Sequence, residues 1–269
     1  MSTSVSSLKQ RRLSANLSFL FTEWPFMERF RAAAEAGFTC VEFLFPYDHA
    51  ADQVAEQLTR HGLDLSVFNA PPGDWARGDR GLAALPDRVQ EFRESLDLAL
   101  HYAKVLHAKR LHILAGIADP NDELARHTYL SNLELAVDRA REANLQVLIE
   151  PINGKDMPGY FLCSFADAAS IVRQLDSEQL RLQFDLYHCQ LINGSILDWL
   201  DALLPITSHL QIAGVPDRHE PDASVMPLAG IFDLLDRRAY AGRVGCEYRP
   251  RGATLDGLAW IESLQDSLT

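Results

Sequence analysis

The chain has 269 residues, 47% of them hydrophobic and 23% charged, which suits one large globular domain or two small ones. No apolar run approaches the roughly 20 residues that cross a bilayer. With 25 basic against 37 acidic residues, the formal charge of −12 repels nucleic acid and other polyanions.

The opening MSTSVSSLKQRR is Ser-rich and basic but has no apolar core, so residues 1–12 read as a disordered tail. Leu13–Phe21 is the first apolar run, and a helix over Pro25–Gly37 starts on proline and stops at glycine. Cys40–Phe45 is the second strand, Ala50–His61 a helix closed by Gly62, and Leu63–Ala70 the third strand. A Gly/Pro/Trp loop over 71–85 leads into a helix over Pro86–His107. Lys109–Gly116 is the fourth strand, and Asp122–Ala143 carries helical periodicity through Leu124, Leu130, Leu133, Val137 and Ala140. The fifth strand, Gln146–Pro151, precedes a long loop over 153–163 and a helix from its cap Ser164 to Leu175. Arg181–His188 is the sixth strand, with a short helix over Ser195–Leu203. Ser208–Ala213 is the seventh, followed by a polar loop (Gly214–Met226) and a helix to Arg238. Arg243–Pro250 is the eighth, and Thr254 caps a last helix to Leu268.

Eight strand–helix pairs in about 250 residues are the grammar of an α/β protein of the (β/α)₈, or TIM barrel, class. A doubly wound open sheet shows a Gly-rich phosphate loop after its first strand, and Thr22-Glu23-Trp24-Pro25 stands there instead. With no linker or low-complexity segment, residues 13–269 read as one domain. Cys40, Cys163, Cys189 and Cys246 form no CxxC pair and mostly lie in or beside apolar strands, as reduced thiols of a cytoplasmic protein do.

In a barrel the site is built where strands end at their carboxyl side. Four successive strands there carry a polar residue that would be costly to bury unpaired: Glu150, Asp185, Gln211 and Glu247. Their separations of 35, 26 and 36 residues are each about one strand–helix unit, so the four recur at similar depth. Carboxylates with an amide oxygen suit a hard divalent cation, Mg²⁺ or Mn²⁺, whereas zinc recruits more His or Cys. Taken singly, each is equally a helix cap, an ion-pair partner or a satisfied buried amide. Two Glu beside a cation that chelates a carbonyl and its neighbouring hydroxyl can move a proton through an enediolate, the chemistry of aldose–ketose isomerases.

Other candidates sit on the loops of the same face. His188 follows Asp185 by three residues and reaches the mouth if the chain turns there; otherwise it bonds a loop carbonyl. Arg218 after the seventh strand, or Lys155 after the fifth, offers a cation for a substrate carboxylate. Asn69 ends the third strand, and Trp75 and Arg80 lie in the loop beyond. Glu42 is a weaker candidate with a buried ion pair as its alternative, and His101, His107, His112 and His127 read as structural.

Six segments carry a family resemblance: FNAPPGDWARGDRG (Phe68–Gly81), IEPIN (Ile149–Asn153), MPGYFL (Met157–Leu162), FDLYH (Phe184–His188), LQIAGVPDRHEP (Leu210–Pro221) and GCEYRPRG (Gly245–Gly252). Through them the chain resembles the hydroxypyruvate isomerases, within the xylose-isomerase-like barrels. The resemblance implies a cation on Glu150, Asp185, Gln211 and Glu247, with Glu150 and Glu247 as the acid/base pair. It further implies interconversion of hydroxypyruvate and tartronate semialdehyde. The IEPIN segment also resembles the 2-oxo-tetronate isomerases, and ketose 3-epimerases share the site. The chain departs from the family at Ala223–Leu228 (ASVMPL), where family members read something like GEINY, beside the expected substrate. A nuclease of the same barrel type and a non-catalytic sugar-acid binder are the remaining rivals. The implied partner is a small molecule, with neither nucleic acid nor membrane, and a homo-oligomer is compatible with the sequence.

Overall fold

Ser14 and Asn16 alternate with Leu13 and Ala15 along β1 (Leu13–Asn16), and this two-residue period is what builds the molecule. In the computed structural model, which describes residues 12–267, the chain runs through α1 (Phe26–Glu35), β2 (Cys40–Phe43), α2 (Ala51–His61) and β3 (Asp64–Asn69). It continues through α3 (Val89–Val105), β4 (Arg110–His112), α4 (Glu123–Glu142), β5 (Gln146–Ile149) and α5 (Phe165–Leu175). Next come β6 (Leu180–Asp185), α6 (Leu186–Asn193), α7 (Ile196–Leu203), β7 (Thr207–Ile212), α8 (Leu228–Arg237), β8 (Val244–Cys246) and α9 (Ala259–Ser267). The eight strands are parallel and close in chain order, β1 pairing with β8 through Leu13–Val244 and Ala15–Cys246.

The period divides the barrel wall into two environments. Outward-facing Leu13, Val41, Phe43, Phe184, Leu210, Ile212 and Val244 are fully buried among the helices and supply most of the hydrophobic driving force. The interior is polar: Ser14 reaches Ser66 at 2.7 Å, and Asn16, Glu42, Gln183, His209 and Gln211 bond one another across it. Barrel interiors are more often packed with branched aliphatic side chains. Here the lower strands support a charged site instead.

Local signals place most helices. Asp122 accepts the N–H groups of Leu124 and Ala125 to start α4, Ser164 accepts that of Asp167 to start α5, and Gly62 at φ 62° ends α2. Several expected boundaries are corrected. The sixth strand stops at Asp185, and residues 186–193, expected as strand and loop, form α6 because Asp185 caps it through the Tyr187 N–H at 2.7 Å. The fourth strand ends at His112 rather than Gly116, and the first at Asn16 rather than Phe21. Thr254 does not cap the last helix; its hydroxyl accepts the Phe21 N–H at 2.7 Å and donates to Glu23. Residues 1–11 of the expected tail lie outside the described residues, and Arg12 pairs with Asp236 and donates to the Tyr240 carbonyl. Cys40, Cys189 and Cys246 are buried, Cys163 is half-buried, and no disulfide joins any of the four. Among the described residues no helix is long and apolar enough to cross a membrane.

Candidate active site

Register carries the four strand-end residues to one mouth. Asp185 pairs with Gln211 across β6 and β7, while Gln211 pairs with Gly245, two residues short of Glu247. Glu150 follows the last residue of β5 directly. A cavity of about 290 Å³ opens here, lined by Glu150, His188, Arg218 and Glu247, and also by Asn69, Trp75, Arg80, His112 and Arg249. Asp185 and Gln211 are buried beneath it.

Each acid is held differently. One oxygen of Glu150 accepts from Gln183 Nε2 at 3.0 Å, while Oε1 is buried with no hydrogen-bond partner and lies 3.9 Å from His188 Nε2. Asp185 spends Oδ1 on the cap of α6 and turns Oδ2 to Arg218 at 3.3 Å and His188 at 3.5 Å. The Arg218 guanidinium also reaches Glu247 at 3.4 Å and Asp156 at 3.5 Å. Its backbone is in the left-handed region at φ 60°, held by bonds to the Gly214 carbonyl and from the Arg249 N–H. A non-glycine residue is kept there only where its surroundings over-determine it.

His188 is a donor to the cavity. Its Nδ1 accepts from Asn153 Nδ2 at 2.6 Å and from the Asn153 N–H at 3.4 Å. That amide cannot be reversed, because Asn153 Oδ1 already accepts the N–H groups of Lys155 and Asp156. The imidazole proton therefore sits on Nε2 and faces Glu150 and Asp185, and a nitrogen carrying a proton is not a metal ligand.

The donor set fits a cation. Carboxylate oxygens of Glu150 and Asp185 lie within 4.8 Å of one another, and these two buried acids meet Glu247 at or beneath the same cavity, a concentration of oxygen donors that a hard cation suits. Burial, then Glu247 and Asp185, raises the Glu150 carboxyl well above its usual range. Burial pushes Glu247 up to about 8 against the pull of Arg218, and it raises Asp185 too. Burial works against the charge on Arg218, but Glu247, Asp185 and Glu150 raise its pKa.

The family described as the xylose isomerase-like TIM barrel matches residues 30–264. The chain belongs to that family. It is 47% identical over 253 residues to the 2-oxo-tetronate isomerase of Cupriavidus necator, covering 93% of this chain and 97% of that one. To the hydroxypyruvate isomerase of Escherichia coli it is 37% identical over 253 residues, covering 93% and 98%. A solved structure described as an AP endonuclease, family 2, from Brucella melitensis aligns with a TM-score of 0.91 at 45% identity, covering 94% of this chain and 99% of that one. As a member of this xylose isomerase-like family, the protein is an isomerase.

Several expected site residues are placed differently in this family member. Lys155 stands outside the cavity: its side chain is 60% exposed and donates to the Pro216 carbonyl. The departing segment 223–228 does not line the cavity either; Ala223 and Leu228 border a separate hollow with Glu220, Arg251 and Trp260. His112, expected to be structural, lines the cavity 3.6 Å from Glu150 with both ring nitrogens unpartnered. Glu42 has a buried side-chain partner, as its alternative reading proposed: His209 Nε2 at 2.8 Å.

The raised carboxyl pKa values fix the sign of a pH effect. The folded metal-free protein holds protons that the unfolded chain has released, so stability falls as pH rises toward the Glu247 value of about 8. His112 and His188, lowered from 6.5 by burial, act oppositely but only below that pH. Melting of metal-free protein should therefore drop by several degrees between pH 6.5 and 8, and saturating Mn²⁺ should flatten the slope. A melting temperature that climbs through this interval without metal contradicts the assignment.

Proposed function

We propose that the protein is a cation-assisted isomerase of short 2-oxo acids bearing a hydroxyl on carbon 3. Both 2-oxo-tetronate and hydroxypyruvate belong to that class and differ only by a hydroxymethyl group on carbon 3. The observation that carries the reading is the pair Glu150 and Glu247 in one cavity, with one Glu150 oxygen left free. Glu150 Oε1 takes the carbon-3 proton, since Gln183 already holds Oε2, the pair returns a proton at carbon 2, and the carbon-3 hydroxyl proton passes to the oxygen on carbon 2. His188 donates its Nε2–H to a substrate oxygen, and Arg218 supplies positive charge where the enediolate develops. A divalent cation on Glu150, Asp185, Gln211 and Glu247, Mg²⁺ or Mn²⁺ by the hardness of these donors, would polarise the 2-oxo group and acidify the adjacent C–H.

The substrate carboxylate falls to Arg80 and Arg249 rather than to Arg218, whose charge is already shared among three acids. Arg80 is well placed: it stacks 3.9 Å from the Trp75 ring, and the carbonyls of Trp75 and Asp79 fix its direction. The name of the Brucella structure brings a nuclease into view. Against that reading, a phosphodiester chain would meet a formal charge of −12, and the described residues hold a single group of metal-competent side chains.

The higher identity to a 2-oxo-tetronate isomerase favours the four-carbon acid, with hydroxypyruvate as the second substrate. The test is kcat/KM for both acids on Mn²⁺-loaded protein. Turnover of both is expected, with the four-carbon acid favoured by at least about tenfold, the scale of one added group in a fitted pocket. Turnover of neutral ketoses and of neither acid would overturn the reading.

A further inference from the structure

Below the three acids lies another buried carboxylate that touches neither the cavity nor any exposed surface. Glu42, in the middle of β2, is 0% exposed and accepts from four side chains on three other strands. Asn16 Nδ2 donates at 3.1 Å, Ser66 Oγ at 3.1 Å, His209 Nε2 at 2.8 Å and Gln211 Nε2 at 2.9 Å. Strand β8, on the far side of β1, makes room for it: a Cβ on Gly245 would stand 2.2 Å from Glu42 Oε1.

Among these partners Gln211 is the one whose chemistry depends on direction. A primary amide has one end that can ligate a cation and one that cannot, and the two ends have nearly the same shape. A carboxylate accepts and never donates, so Glu42 compels the NH₂ of Gln211 to point down toward it. The Gln211 oxygen then points the other way, where it accepts from Gln183 Nε2 at 2.9 Å, beside Glu150. Gln183 repeats the instruction from above, since its NH₂ needs an acceptor.

We propose that Glu42, fixed by His209, Asn16 and Ser66, is a positioning residue that locks the Gln211 amide with its oxygen toward the acid cluster. The inference rests on the reading of Gln211 as a cation ligand. It explains why a charged residue is buried where an aliphatic one would stabilise the barrel more cheaply. Groups that orient ligands in this way typically change metal affinity by about 10- to 100-fold when removed.

The experiment is a cycle of substitutions read by Mn²⁺ affinity, with free Mn²⁺ followed by electron paramagnetic resonance, and by thermal melting of the same samples. Glu42→Gln keeps the shape but offers Gln211 a donor as well as an acceptor, so the amide loses its direction. It should weaken Mn²⁺ binding at least about tenfold. Removing a nearby charge would also weaken binding, and Gln211→Ala separates the two causes. In that background Glu42→Gln should change affinity by less than about twofold, since there is no amide left to orient. Should Glu42→Gln melt below the assay temperature, Glu42→Asp keeps the charge, withdraws the acceptor by one methylene and should show the same loss.

Unchanged affinity in Glu42→Gln overturns the inference, as does a full tenfold loss that persists in the Gln211→Ala background. Failure of the unmodified protein to bind Mn²⁺ would instead remove the cation reading itself, and this inference with it.

Discussion

Glu150→Gln and Glu247→Gln should each lower turnover by about 10²- to 10⁴-fold, the range for a positioned general acid or base, and leave the fold intact. The split between activity and stability follows from burial. Burial, Glu247 and Asp185 all raise the Glu150 carboxyl and so favour its neutral form in metal-free protein. A neutral amide keeps the shape of that favoured form, and Gln183 keeps a partner oxygen at that position. Melting within a few degrees of the unmodified protein, together with lost turnover, is the expected pair of results. Turnover within tenfold of the original for both variants would mean that neither acid moves the proton.

Arg218→Met should have the largest effect on stability. The guanidinium lies within 3.5 Å of Asp156, Asp185 and Glu247, all at least partly buried, and its side chain is 11% exposed. Removing one partner from a buried ionic group typically costs about 3–5 kcal/mol, because the acids it supports must either take up a proton or stay uncompensated. Added Mn²⁺ should restore part of that loss, since a cation supplies the missing positive charge among the same acids. Denaturant melts with and without Mn²⁺ check both statements. An unchanged midpoint in metal-free protein would show that the acids there are already neutral and that Arg218 serves only the substrate.

The barrel was readable because its physics is local. Strand alternation, the Asp122 and Ser164 caps and the Gly62 stop each act within a few residues, and eight repetitions leave few closed topologies. Glu150, Asp185, Gln211 and Glu247 stood out for the same reason, as polar residues ending apolar strands. Their convergence needed only the register of parallel neighbours. Helix α6 was missed because LYHCQLIN is apolar enough to extend a strand, and the signal against it is the cap, Asp185 two residues before Tyr187.

Contacts across the barrel were not readable. Glu42 and His209 are 167 positions apart, and nothing near either names the other. His112 looked structural because it sits in an apolar strand; only the early end of β4 brings its ring to the cavity. The opposite failure befell Lys155, whose loop position suggested a substrate contact. A long flexible cation more often finds solvent, as it does here beside Asp217.

Proton exchange tests the central claim most directly. Mn²⁺-loaded protein would be incubated in D₂O with 2-oxo-tetronate or hydroxypyruvate and followed by proton NMR. Metal-dependent loss of the carbon-3 proton signal with appearance of the isomer is predicted, and both should vanish in Glu150→Gln. Retention of that proton with every divalent cation tried, in protein shown to bind both metal and acid, would contradict proton transfer at this site.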